Sequence, residues 1–203
     1  MKIICIGRNY TDHVRELKND LPKEPVFFLK PDTAIVTRNR PFFYPEFSAE
    51  IHHEVEIVFR ISKVGKYIQE KFAHTYYNEI AVGLDMTARD LQREAIKNGL
   101  PWEKTKGFDS SAPISSFVPV SDFPDIKNLN FSLKKNGETV QSGNTRDMIF
   151  SIDRIIAHVS QFITLKMGDI IFTGTPAGVG PVQIGDKLTA YIEDKKMLSC
   201  NVR

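Results

Sequence analysis

Glu54 and Glu56 stand two residues apart in the segment Ile51-His52-His53-Glu54-Val55-Glu56-Ile57-Val58-Phe59. Strand side chains alternate faces, so His52, Glu54 and Glu56 would share one side, with Ile51, Val55, Ile57 and Phe59 on the other. Two carboxylates at that spacing repel unless a cation lies between them, and an oxygen-only pair suits a hard ion such as Mg²⁺, Mn²⁺ or Ca²⁺. A half-buried strand with a solvated polar face would show the same alternation. Ile57-Val58-Phe59 is apolar on both faces, however, so the strand enters the core just after Glu56. Asp85 is the candidate third ligand. It follows the apolar run Ala81-Val82-Gly83-Leu84 and precedes a helix whose N-cap reads as Thr87, where a carboxylate can equally serve the helix terminus.

His13 and Glu16 form a second group. Their i, i+3 spacing puts both on one helical face. A carboxylate beside an imidazole raises its basicity and fixes its tautomer, which is what a base that deprotonates water requires; an exposed polar helix would read the same way. The run Gly174-Thr175-Pro176-Ala177-Gly178-Val179-Gly180-Pro181 is a glycine-rich loop after an apolar strand. It has neither the spacing of a dinucleotide fingerprint nor the Gly-Lys-Ser/Thr of a phosphate loop. Its backbone N–H groups could cradle a carboxylate, or the glycines could simply make a tight connection.

These residues need elements to hold them. Short strands are expected at Lys2 to Ile6, Val26 to Leu29 and Ile51 to Ile61, with a helix over Asp12 to Lys18 ended by residues 19–23. A helix from Met86 to Asn98 ends at Gly99. Ser151 to Ile163 is amphipathic, with Ser151 as its cap and Ile152, Ile155, Ile156, Val159 and Phe162 in helical register. The remaining C-terminal half reads as strand, with a hairpin at Asn136-Gly137. Mostly strands with two or three helices, and no regular βαβ alternation, predict an α+β, β-rich roll or barrel rather than a doubly wound sheet.

Composition narrows the function class. The 203 residues suffice for one domain with a sizeable core, and 27 basic against 25 acidic residues give a net charge of +2, too balanced for a nucleic-acid footprint. Cys5 and Cys200 have no CxxC partner, so neither a disulfide framework nor a zinc site is expected. No stretch approaches the roughly 20 apolar residues of a membrane span. The Met1 to Ile6 run is too short for a secretory leader. A cytoplasmic protein with no membrane or nucleic-acid partner is the expectation.

Five blocks occur in order along the chain: Gly7-Arg8-Asn9-Tyr10-Thr11-Asp12-His13, Phe28-Leu29-Lys30-Pro31, His52-His53-Glu54-Val55-Glu56, Leu84-Asp85-Met86-Thr87-Ala88-Arg89-Asp90, and Gly168-Asp169-Ile170-Ile171-Phe172-Thr173-Gly174-Thr175-Pro176. Together they resemble the fumarylacetoacetate hydrolase family, closest to its single-domain acylpyruvase and oxaloacetate decarboxylase branch. The resemblance implies one catalytic domain over 1–203, with a mixed β-roll and a short N-terminal lid helix carrying His13 and Glu16. It implies Mg²⁺, or Mn²⁺ or Ca²⁺, on Glu54, Glu56 and Asp85. Lys106 would be a catalytic lysine facing a small keto-acid substrate, and Arg89, Gln92 and Thr175 would contact that substrate. The activity implied is metal-dependent C–C bond cleavage of small β-keto acids, by acylpyruvate hydrolysis or oxaloacetate decarboxylation, in a homodimer. The alternative within the same fold is an isomerase or tautomerase of oxaloacetate or hydroxydiene-dioate type substrates.

Overall fold

A computed structural model of the chain describes residues 1–16 and 20–203. The C-terminal end of the helix expected over Asp12 to Lys18 therefore lies outside the described residues; its described part spans Thr11–Glu16. The central layer is a six-stranded sheet. Its strands run in the order Val26–Lys30, Ile3–Gly7, Ile170–Phe172, Val55–Ile61, Tyr77–Leu84 and Val118–Pro119. Ile3–Gly7 pairs parallel with Ile170–Phe172, and every other pairing in the sheet is antiparallel.

The composition of these strands explains their place. Ile3, Ile4, Cys5 and Ile6 are all buried, as are Val55, Ile57, Val58, Phe59 and Ile61, so both faces are covered. One face carries Ile4, Ile6, Val55, Ile57, Phe59, Val82 and Ile171 into the larger core. That core is shared with Phe131, Leu133, Leu188, Ala190 and Ile192 of a four-stranded sheet and with Ile152, Ile155, Ile156 and Val159 of the Ile152–Phe162 helix. The opposite face packs Ile3, Cys5, Val58, Ala81 and Phe172 into a smaller core, and Glu56 lies on this side by alternation.

Two local signals act as the residue types dictate. Ser151 Oγ accepts from Arg154 N–H at 3.2 Å and caps its helix. Asn136 and Gly137 both have positive φ, 55° and 94°, as the tight hairpin turn between Asn130–Lys135 and Glu138–Asn144 requires.

Two expectations need correction. The strand read over Ile51 to Ile61 breaks at Glu54: Ile51–His53 pairs with Gly180–Pro181 and Thr87–Ala88 in a three-stranded sheet, and Val55–Ile61 continues in the central one. The helix expected from Met86 begins at Arg89, with Ala88 at its N-cap and no side-chain cap bond. Thr87 is instead paired with His52 in the small sheet, and Asp90 accepts from Ser48 Oγ and Ala49 N–H. Gly99 ends this helix at φ 64°, as expected. The sheets form a β-rich α+β arrangement, and none closes into a barrel among the described residues.

Candidate active site

Glu54, Glu56 and Asp85 converge at the ends of two inner strands of the central sheet, where the chain changes sheets. Glu54 occupies the break between its two strands, and its carbonyl accepts from Asp85 N–H at 2.8 Å. Glu56 pairs across the ladder with Gly83, and Asp85 directly follows the Tyr77–Leu84 strand. Each of the three offers a carboxylate oxygen within 4.8 Å of the others, and all three are buried.

Buried carboxylates this close need positive charge, and three basic side chains supply it. Lys106 Nζ donates to Glu54 Oε2 at 2.8 Å, Asp85 Oδ2 at 2.8 Å and Thr87 Oγ1 at 2.6 Å, which uses all three of its N–H bonds. Burial pushes Lys106 toward the neutral form, but Asp85 and Glu54 outweigh it and the net direction is up, so the ammonium is retained. Arg89 donates to Glu54 Oε1 at 2.5 Å and to Gln92 Oε1 at 2.5 Å. Burial alone would raise Glu54; Lys106 and Arg89 reverse that and hold it well below the usual carboxylate range. Lys30, buried at the end of its strand, places Nζ 2.8 Å from Asp85 Oδ1. Its hydrogen bonds, however, go to Ser111 and to the carbonyls of Lys106 and Met86.

Glu56 is treated differently. Its one hydrogen bond is from Gly174 N–H to Oε2 at 2.6 Å, and no basic side chain pairs with it among the described residues. Burial, then Asp85 and Glu54, push its carboxyl well above the usual range. Asp85 Oδ1 is buried and accepts no hydrogen bond, although Lys30 Nζ lies 2.8 Å away. Glu56, with no cationic partner, and the Asp85 oxygen that accepts no hydrogen bond face the Glu54 carboxylate, and three such hard oxygens are the donor set of a divalent cation. The residues present fit such an ion.

The carboxylates line a cavity of about 50 Å³ together with His13, Phe28, Arg89, Gln92, Lys106 and Thr175. His13 Nδ1 lies 3.3 Å from Glu16 Oε2, and the Glu16 carboxylate accepts from Gly178 N–H at 3.2 Å through either oxygen. The short helix is thereby fastened to the glycine-rich loop. Gly178 has φ 94°, and a Cβ there would lie 2.4 Å from Val140 O. Gly174, at φ 101°, presses against Asn9, whose side chain bonds Thr173 O at 2.7 Å and Phe150 O at 3.0 Å.

Every residue singled out in the sequence for metal, lid, lysine or substrate contact thus lines this cavity or, like Glu16, touches one that does. His52 does not. The break at Glu54 takes it out of line, and it bridges Glu50 at 2.8 Å and Arg89 at 3.4 Å. Two residues were passed over. Lys30 carried a signal, a lysine closing an apolar strand. Arg8 lines the cavity with φ 60°, a conformation unusual for a residue with a side chain, and only its place between Gly7 and Asn9 hinted at it.

Comparison with known proteins places this geometry. The chain is 49% identical over 190 residues to the mitochondrial oxaloacetate tautomerase FAHD1 of Bos taurus, covering 94% of this chain and 86% of the relative. It is 43% identical over 192 residues to the mitochondrial oxaloacetate decarboxylase of Dictyostelium discoideum, covering 94% and 88%. The crystal structure of fumarylpyruvate hydrolase from Pseudomonas aeruginosa, in complex with Mn²⁺ and pyruvate, superposes with a TM-score of 0.94 at 38% identity, over 100% of this chain and 89% of that one. The profile of the fumarylacetoacetate (FAA) hydrolase C-terminal family matches residues 2–203, and the chain belongs to that family.

Proposed function

We propose that this chain is a divalent-metal-dependent enzyme for enolate chemistry on small β-keto acids, with oxaloacetate-type compounds as substrates. The observation that carries this is the meeting of the Glu54, Glu56 and Asp85 carboxylates with the His13–Glu16 pair across one small cavity. Glu54, Glu56 and Asp85 would hold the ion, with Mg²⁺ the proposed metal; the Pseudomonas relative carries Mn²⁺. When bound, such an ion stabilises negative charge on an enolate oxygen as it develops.

The chain's own residues then divide the work. Glu16 engages His13 Nδ1, so Nε2 is the nitrogen that exchanges a proton with the substrate. In keto–enol exchange, His13 takes a proton from the carbon between the two carbonyl groups, and the enolate oxygen is protonated in its place. Lys106, fixed by three acceptors, keeps an ammonium charge beside that oxygen. Arg89 and Gln92 brace each other and the cavity wall, and Thr175 offers a hydroxyl to a substrate oxygen.

C–C cleavage is the second reading, because decarboxylation or acylpyruvate hydrolysis leaves pyruvate as its enolate, whose charge falls on the oxygen of the same keto group. Two relatives bearing decarboxylase and hydrolase names favour keeping it. The test is to incubate the protein with Mg²⁺ or Mn²⁺ and oxaloacetate, acetylpyruvate or a 2-hydroxymuconate-type diene, and to identify the products. Metal-dependent conversion of oxaloacetate between keto and enol forms, or to pyruvate, is expected; turnover undiminished by excess chelator overturns the proposal. His13→Ala should slow the proton-transfer reactions by roughly 10²–10⁴-fold while sparing decarboxylation, which needs no base. The unit is proposed to be one catalytic domain acting as a homodimer in the cytoplasm. Sedimentation and cell fractionation check those points, the second against the mitochondrial location in two relatives' names.

A further inference from the structure

Gln141 lies on the Glu138–Asn144 strand of the four-stranded sheet, buried and outside the lining of the cavity. All four hydrogen-bonding positions of its amide are used. Oε1 accepts from Val55 N–H at 3.0 Å and from His53 Nδ1 at 2.9 Å. Nε2 donates to Thr175 Oγ1 at 2.8 Å and to Pro176 O at 3.0 Å. Two of these partners are backbone groups of fixed polarity: a peptide N–H can only donate, and a carbonyl can only accept. Turning the amide over would set donor against donor at Val55 and acceptor against acceptor at Pro176, both buried, which is costly. The orientation of this side chain is therefore dictated by the backbone.

That orientation has a consequence one bond further on. Thr175 Oγ1 must accept from Gln141, and its own proton finds no acceptor among the described residues. Thr175 is 3% exposed and lines the cavity, so the unused proton is left for whatever the cavity holds. We propose that Gln141 is a positioning residue that fixes the Thr175 hydroxyl as a hydrogen-bond donor, selecting ligands that present a carboxylate or keto oxygen at that point. A ligand offering an N–H or O–H there would meet a second donor. This rests on the keto-acid reading of the site and adds to it a residue outside the cavity that sets the cavity's polarity. The same amide ties Val55, between Glu54 and Glu56, to the glycine-rich loop, so the donor is registered against the carboxylates.

Gln141→Glu is the discriminating change. The added carboxylate oxygen accepts where Nε2 donated, so the Thr175 proton turns toward residue 141 and away from the cavity. Thr175→Val removes the hydroxyl while keeping the shape. Binding of pyruvate to the Mn²⁺-loaded protein, followed by titration calorimetry, is the readout. Each single variant should bind at least roughly tenfold more weakly, the effect of losing one hydrogen bond to a charged group. The double variant should bind no more weakly than Thr175→Val alone, because Gln141 acts only through that hydroxyl. Thr175→Ser should bind as the unaltered chain does. Losses that add in the double variant, or Gln141→Glu binding as tightly as the unaltered chain, overturn the inference. If Gln141→Glu does not fold, Gln141→Met takes its place: with the hydroxyl no longer fixed but still able to donate, it should bind more weakly than the unaltered chain and less weakly than Thr175→Val, and unchanged binding overturns the inference. Failure of the unaltered, Mn²⁺-loaded chain to bind pyruvate would overturn the keto-acid reading itself, a result separate from unmoved variants.

Discussion

Glu56 is the residue at which folding and metal binding oppose each other. A carboxylate in the interior without a cationic partner favours its protonated form, and burial with Asp85 and Glu54 nearby pushes Glu56 up. The sign for the metal-free chain follows. A group whose folded value is raised contributes stability that is fully present below its unfolded value, here 4.5, and is lost as pH rises through the folded value. The metal-free protein should therefore weaken as pH rises from mildly acid to alkaline, and an ion that binds ionised Glu56 should restore more stability at higher pH. Glu56→Gln removes the buried charge. At pH 8 without metal it should melt higher, by about 1 kcal/mol or ~2–4 °C, and should show no metal-induced shift. Scanning calorimetry across pH, with and without Mn²⁺, checks both signs. A Glu56→Gln protein that melts lower without metal would show that the charge is compensated.

At the scale of elements, the Thr11–Glu16 helix depends on a loop far away in sequence. Glu16 is held by Gly178 N–H, and Gly178 can sit there only because nothing projects from its Cα toward Val140 O. Gly178→Ala should cost about 1–3 kcal/mol for the left-handed backbone and the clash. It should also free the helix, seen as faster amide exchange over residues 11–16 with unchanged exchange in Val55–Ile61. The sequence was informative about elements with local signals: the Ser151 cap, the Asn136-Gly137 turn and the apolar alternation of Val55 to Phe59. It was silent where tertiary pairing decided. Glu54 carries no breaker, so the switch between sheets comes from pairing with Thr87–Ala88 and Gly180–Pro181. Thr87 has the residue type of a cap, but the small sheet claims it. Lys30 could be read as a strand end but not as a neighbour of Asp85, because the groups it bonds lie 56 to 81 positions away.

For the molecule as a whole, the carboxylate site acts as a clamp between the first and middle thirds of the chain. An ion bound to the folded state alone stabilises it by mass action, about 2.7 kcal/mol at a hundred times its dissociation constant. Thermal shift should therefore rise with the logarithm of Mn²⁺ concentration and vanish with chelator. A shift that saturates near zero would mean that the carboxylates do not bind the ion in the folded state. No helix among the described residues is long and apolar enough to cross a membrane.

The parallel pairing of Ile3–Gly7 with Ile170–Phe172, and the bond from Asn9 to Thr173 across 164 positions, also bear on how the protein is made. At ribosomal speeds of roughly 5–20 residues per second, the first of these residues emerges on the order of 10–30 s before its partner. For roughly the second half of that interval Glu54, Glu56 and Asp85 all exist without Gly174 to organise them. A nascent chain therefore carries no finished binding centre, and the carboxylates acquire their shared geometry only after Gly174 has been made.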